Sequence, residues 1–276
     1  MLTSTDVDVL IVSYLTPDLT RAAVAAVDGQ SVRVQIWDNS GDVGPVDGVE
    51  VLGTGDNVYF AHGNNELYAR GRSRYVLLLN PDVILRHEDL RTLCTILDAH
   101  PSVWGVAPRL VSPDGEAQRY VKRLPTTPAL LADRLPFLRG VLRKSYRRYT
   151  CADIDLEGMA EVDQPPAAAL LVRRSDIDAS GGLFDESYPL FFNDVDLARR
   201  LKVRGSCLYV GTVAAAHVGG ASLRRAGRAG ADVGAMYDAA LLTYARRHLP
   251  AVRFVEAAVH LRRWIELRRG PWWSAS

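Results

Sequence analysis

Cysteine is scarce in this 276-residue chain: Cys94, Cys151 and Cys207 stand far apart, and no two make a Cys-x-x-Cys pair. That excludes a zinc knuckle or a redox dithiol, and so sparse and odd a count suits a reducing compartment. A basic leader is missing as well. The chain opens MLTSTDVDVL, with Asp6 and Asp8 in place of lysines, and does not read as a secretory signal. No apolar run approaches the roughly 20 residues that cross a bilayer; the most apolar short stretch, 165–172, is far too short. The expectation is a cytoplasmic protein without a transmembrane segment. Neither sign of charge dominates: 33 basic against 32 acidic residues leave +1, so bulk charge gives no pull toward nucleic acid. Internal repeats and low-complexity segments are absent. What remains, 48% hydrophobic and 24% charged, is ordinary globular composition, long enough to bury a sizeable core.

The first 110 residues alternate strand and helix signals. Residues 7–12 are a short apolar run, as expected of a strand buried on both faces. Thr16 is placed to cap a helix with Pro17 at its first position, running to about 27. Further strands are expected at 32–37, 49–52, 75–79 and 103–107, with helices at 63–70 and 88–99. Alternation at this spacing means an α/β fold with a mostly parallel central sheet. The middle differs. Residues 134–149 carry six basic residues and no acidic one, and prolines at 125, 128 and 136 break up the region, which reads as an irregular basic insertion over about 125–150. A strand is expected again at 165–173, a helix at 195–203 and a last core strand at 207–210. Toward the C-terminus Phe254, Ala257, Ala258, Leu261, Trp264 and Ile265 share one helical face. This predicts one domain over 1–225 and a helical extension over 226–276.

Three segments could carry chemistry. Asn80-Pro81-Asp82 directly follows an apolar strand, and in open α/β sheets ligands bind beyond the carboxyl ends of strands. Asp82 could hold Mg2+ or Mn2+ on a diphosphate; the same tripeptide is also good turn chemistry. Asp194 and Asp196 lie near a helix start and, two apart, do not share a face, so they should have different jobs. One could be an ionised base, or both could only cap the helix. His217, with Gly219 and Gly220 after it, could be a metal or phosphate contact or purely structural. Gly53-Thr54-Gly55 is only a partial dinucleotide fingerprint.

In order along the chain these pieces resemble the family 2 glycosyltransferases of the GT-A fold, in particular their bacterial rhamnosyltransferase-like branch. The matching pieces are Ile11-Val12-Ser13-Tyr14, Trp37-Asp38-Asn39-Ser40, the segment 57–65, Leu78-Leu79-Asn80-Pro81-Asp82-Val83, the segments 181–186 and 193–197, and 217–222. The resemblance implies a single GT-A domain and an inverting, metal-dependent hexosyltransferase of cell-wall or polysaccharide biosynthesis. Asp194 would be its general base, and Asp82 with His217 would hold Mg2+ or Mn2+. Ser13, Tyr14, Asp38, Asn57, Tyr59, Asn64 and Asn80 would face the nucleotide donor, and Asp185, Asn193 and Asp196 the acceptor. It favours dTDP-rhamnose as donor over a UDP-sugar, with a glycan, lipid-linked or small-molecule hydroxyl as acceptor. Three positions depart from the family: Asn193 where Glu is usual, Ala167 or Ala168 where Gly is usual, and Tyr59 where Gly is usual.

The basic insertion could recognise a diphosphate-bearing acceptor or anionic headgroups. The tail, with Trp264, Trp272 and Trp273 among arginines, suits peripheral contact with the inner membrane face or packing on the domain or in a homodimer. Two other readings compete. A sugar nucleotidyltransferase needs a Gly-rich basic loop after the first strand, where this chain has Ser13-Tyr14-Leu15-Thr16-Pro17. A non-catalytic nucleotide-sugar-binding protein is suggested by Asn193.

Overall fold

The computed structural model describes residues 6–269. In chain order the elements are β1 (Val7–Ser13), α1 (Pro17–Val27), β2 (Val32–Asp38), β3 (Glu50–Leu52), α2 (Tyr59–Arg70), β4 (Tyr75–Leu79), β5 (Val83–Ile84), α3 (His87–Ala99) and β6 (Val103–Val111). Then follow α4 (Thr127–Arg134), α5 (Arg143–Tyr149), β7 (Met159–Val162), β8 (Ala169–Arg173), α6 (Arg174–Ala179), α7 (Asn193–Leu201), β9 (Ser206–His217), α8 (Ala221–Arg228), α9 (Val233–His248) and α10 (Val252–Arg269).

The strands form one sheet in the order β3-β2-β1-β4-β8-β6-β9-β5, with β7 also on β9. The half built first is parallel throughout: β2 and β4 flank β1, and β3 extends β2. In the other half β8 runs antiparallel between β4 and β6, β6 and β9 are parallel, and β5 and β7 run antiparallel to β9. Alternation along β1 separates two cores. Val7, Val9 and Ile11 pack with Ala23, Val24 and Val27 of α1 and Leu90, Leu93 and Leu97 of α3. Leu10 and Val12 pack on the opposite face with Leu67 of α2 and Leu197 and Leu201 of α7. The result is an α/β/α sandwich, the expected fold class. Glycine is obligatory at Gly205 before β9: φ is +139° and a Cβ there would collide with the Ser102 carbonyl.

A third core stands apart from the sheet. Leu130 of α4, Tyr188, Phe192, Val195, Leu241 and Tyr244 of α9, and Val255 and Val259 of α10 bury one another. Arg134 and Asp238, both almost wholly buried, form an ion pair within this layer. Burial, and then the neighbouring Arg262, lower the Arg134 pKa from its ordinary value.

Several elements differ from the sequence expectation. The basic insertion is helical, not irregular. Pro128 lies in the first turn of α4 and Pro136 opens a short 3-10 turn, positions where proline starts a helix and breaks nothing. The strand expected from 165 begins at Ala169, because Pro165 and Pro166 have no N–H for the ladder. Helix α2 begins four residues before 63, and β9 runs on to His217, well past 210. Thr16 sits at the start of α1, but its hydroxyl lies by that of Ser13 at 3.4 Å and caps no backbone N–H. On α10 the buried stripe is Val255, Ala258 and Val259, while Phe254, Ala257, Leu261 and Trp264 of the expected apolar face are exposed. Small residues let α10 lie close to α4 and α9, a packing that hydrophobic periodicity does not report. Trp272 and Trp273 lie outside the described residues. Among the described residues no helix is long and apolar enough to cross a membrane.

Candidate active site

Asn80, Pro81 and Asp82 emerge at the carboxyl end of β4. The Asn80 N–H donates to the Ala168 carbonyl (2.8 Å), and the Val83 N–H returns to the Asn80 carbonyl (3.1 Å), so the tripeptide is a turn. It is also more than a turn. The β5–β9 ladder sets Val83 opposite His217, which brings Asp82 Oδ1 to 3.5 Å from His217 Nε2, both side chains almost fully buried. Asp82 Oδ2 accepts from the Ala221 N–H at 3.2 Å, the first turn of α8. Gly219 and Gly220, at φ +75° and +64°, bend the chain so that this helix end meets the carboxylate.

Gln118 orients the imidazole. Its Nε2 donates to the His217 carbonyl (3.1 Å), which turns its Oε1 onto His217 Nδ1 (2.7 Å). Nδ1 therefore carries a proton; in the imidazolium the Nε2–H faces Asp82 Oδ1, and loss of that second proton would leave a lone pair converging with the carboxylate. Such a held second nitrogen is typical of metal-binding histidines. Burial pushes the Asp82 pKa up, but the hydrogen bond and charge of His217, with the Ala221 N–H, outweigh it and hold the carboxyl below its ordinary value. Among the described residues no three His, Cys, Asp or Glu side chains converge as a metal cluster. Asp82 and His217 are a two-ligand set, which fits a cation that completes its shell with a ligand's phosphate oxygens and water.

The facing wall is the start of α7. Phe192 takes the left-handed conformation (φ +65°) just before the helix. The Asn193 amide donates to the carbonyls of Tyr188 (3.4 Å) and Leu190 (3.1 Å), and its Oδ1 accepts from the Asp194 N–H (2.7 Å). An ionised Glu has no N–H to donate, so the departure at 193 secures the loop before the helix. Asp194 Oδ1 accepts from the Val195 N–H at 2.8 Å. Burial raises the Asp194 carboxyl above its ordinary value, opposed by that N–H, by the Lys122 ammonium and by a hydrogen bond from Gln164. Lys122 and Gln164 are themselves paired through two backbone hydrogen bonds of 2.9 Å.

One cavity of about 760 Å3 lies between the two walls. Tyr14, Asn57, Tyr59, Asn80, Asp82, Asn193, Asp194 and His217 all line it. Five other residues singled out from the sequence do not. Ser13 is buried and accepts from Thr20 at 2.8 Å. Both Asp38 oxygens are engaged by the turn that follows, through the N–H groups of Ser40, Gly41 and Val43; its neighbour Asn39 lines the cavity instead. Asn64 donates to the Phe60 carbonyl. Asp185 pairs with Arg247 at 2.7 Å, and Asp196 pairs with Arg200 at 2.8 Å. Arg200 also holds the carbonyls of Ser180, Gly182 and Leu183.

The other departures are also placed. Tyr59 has φ +66°, a conformation that suits glycine and costs another residue about 1–2 kcal/mol. Asn39 steadies it, accepting from the Val58 N–H (3.0 Å) and donating to the Tyr59 carbonyl (3.3 Å). Ala167 and Ala168 both face the cavity. Sequence reasoning missed Gln118, Tyr120, Lys122, Tyr149 and Gln164. The only local hint was the alternation Gln118-Tyr120-Lys122, which has no meaning until residue 164 is known to lie beside it.

No family model matches the chain. A curated relative, rhamnosyltransferase WbbL of Escherichia coli K12, is 26% identical over 158 residues, covering 54% of this chain and 56% of that protein. The match thus spans little more than half of the relative's length. Among solved structures, GalNAc-T7 with UDP, GalNAc and Mn2+ superposes with a TM-score of 0.54 at 10% identity, over 78% of this chain and 44% of that one. S. aureus TarS 1-349 gives 0.53 at 10% identity, over 88% and 72%. The mannosyltransferase PcManGT of Pyrobaculum calidifontis, in complex with GDP-Man and Mn2+, gives 0.50 at 11% identity, over 97% and 76%. The sheet order and these likenesses agree on the architecture: the chain has the GT-A fold, and over little more than half its length it is similar to a rhamnosyltransferase.

Proposed function

We propose that the protein is an inverting glycosyltransferase that moves a sugar from a nucleoside diphosphate to an acceptor hydroxyl. The observation that carries this is the meeting of Asp82 with His217 on one wall and Asp194 on the other wall of a single cavity. Its volume is within the range of small-ligand sites. In this reading Asp82 and His217 would hold Mg2+ or Mn2+, which would supply charge stabilisation for the leaving diphosphate. Asp194 takes the proton of the acceptor hydroxyl as that oxygen bonds to the anomeric carbon. The bond from that carbon to phosphate breaks on the opposite side, and the nucleoside diphosphate departs with the electron pair. Asn39, Asn57 and Tyr59 lie on the nucleotide side. In this reading the residues up to 225 form the transferase unit, and α9 and α10, packed on Tyr188, Phe192 and Val195, brace its acceptor side.

The donor reading is dTDP-rhamnose, supported by the relative's rhamnosyltransferase name; the UDP and GDP-Man of the solved complexes make UDP- and GDP-sugars the necessary controls. The reading as a mere binding protein rested on Asn193, and the loop hydrogen bonds of that amide now account for it. Calorimetry with dTDP, UDP and GDP, with and without Mn2+, tests the reading. One nucleotide should bind tightly only with the metal, and Asp82→Asn should remove the metal dependence. Absence of binding by all three nucleotides would sink the proposal.

A further inference from the structure

Tyr149 and Lys122 line the cavity, and their chain neighbours Arg148 and Arg123 line a second space behind it. The partition between the two is thin. The Arg123 N–H donates to the Tyr149 carbonyl at 2.9 Å, and the Lys122 ammonium lies 5.0 Å from the Tyr149 ring centre. The second space is an open cleft of about 940 Å3 lined by Arg123, Arg143, Lys144, Arg147, Arg148 and a single carboxylate, Asp153.

Two observations set this cleft apart from an ordinary solvated face. Surface arginines elsewhere are commonly paired, as Arg33 is with Glu50 and Arg246 with Glu256, yet none of these five cations forms an ion pair among the described residues. Moreover α5 is built against its own electrostatics. Arg143 faces Arg147 and Lys144 faces Arg148 at i,i+4 spacing, two like-charge pairs on a seven-residue helix with no acidic residue. Multivalent oxyanion binding relieves that repulsion, and arginine forks match phosphate oxygens in pairs.

We infer that this cleft is a diphosphate site and that it takes the phosphate groups of the acceptor. The link to an acceptor rests on the glycosyltransferase reading; the oxyanion site does not. A diphosphate seated behind the Lys122–Tyr149 partition would leave the adjoining sugar to reach over it toward Asp194. The acceptor class is then a glycosyl diphosphate, whether soluble or carried on a lipid.

The experiment is calorimetric titration of inorganic pyrophosphate, with EDTA present so that no metal-bridged binding at Asp82 contributes. The wild type should bind one equivalent, more weakly as salt rises. Arg143→Gln/Arg147→Gln/Arg148→Gln should lose at least tenfold in affinity, while Asp82→Asn should not. The triple variant should melt no lower than the wild type, because it removes repulsion. Retained Mn2+-dependent nucleotide binding by that variant separates this cleft from the donor site. If the wild type binds pyrophosphate but no nucleotide, the transferase reading fails and the oxyanion site stands. Phosphatidylglycerol vesicles form the second arm. A wild type that sediments with them yet has no site for pyrophosphate overturns the proposal in favour of a general membrane charge patch. Equal pyrophosphate binding by wild type and triple variant overturns it outright.

Discussion

The two walls of the cavity each present one aspartate, and their surroundings drive the two carboxyls in opposite directions. On the sheet wall Asp82 lies against His217 and the first turn of α8, and these hold it below the ordinary carboxylate range in spite of burial. On the helical wall Asp194 is backed by the third core, and burial carries it above that range in spite of Lys122 and Gln164. One residue type thus acquires two characters. A carboxylate that stays ionised suits a cation, and one whose proton affinity is raised suits proton transfer. The difference teaches which residue to assign to which job.

The strongest attempt to break this contrast is Asp194→Asn. It should lower transfer by about 10^2–10^4-fold, the usual worth of a positioned base, while metal-dependent nucleotide binding persists. Full turnover in that variant would remove the proposed base. Next comes the sheet wall. Gln118→Leu frees the His217 ring and should weaken Mn2+ affinity by about 10–100-fold, as loss of such orienting partners does, measured as the Mn2+ concentration needed for nucleotide binding.

The pH profile sharpens the contrast further. Asp194 must be ionised to act, so kcat/KM should rise with pH along a limb above the ordinary aspartate range. Lys122 and Gln164 favour the ionised form. Lys122→Met or Gln164→Leu should therefore move that limb to higher pH, and a shift to lower pH would contradict the assignment. The smallest effect concerns the loop at Tyr59. With φ positive there, Tyr59→Gly should be more stable than Tyr59→Ala by about 1 kcal/mol, the reverse of an ordinary helical position. Urea denaturation of the two variants reads the difference.

The sheet wall was far more legible in the sequence than the helical one. Strands β1 and β4 are continuous apolar runs, and the turn at Asn80-Pro81-Asp82 follows the second directly, so strand, strand end and carboxylate are all local features. Asp194 could be picked out as a residue near a helix start, but what tunes it could not. Lys122 and Gln164 are brought to it by a backbone bridge between segments 42 positions apart, and no local pattern encodes that pairing. Asp38 shows the opposite failure. Its motif pointed to a ligand, yet every one of its hydrogen bonds is spent on the turn after β2, and Asn39 reaches the cavity. On α10 the large apolar residues marked the wrong face, because close helix packing selects small side chains such as Ala258.

The shortest strand of the sheet carries a consequence out of proportion to its length. β5 is two residues long, and its two rungs on β9, continued by the bond from the Val218 N–H to the Asp82 carbonyl (3.1 Å), bring Asp82 beside His217. Strand side chains alternate faces, so a slip of one position would send the imidazole to the other side. An insertion or deletion between Asp82 and Ile84 would therefore part the carboxylate from the imidazole. Relatives of this chain should keep their spacing there even where almost every side chain has changed.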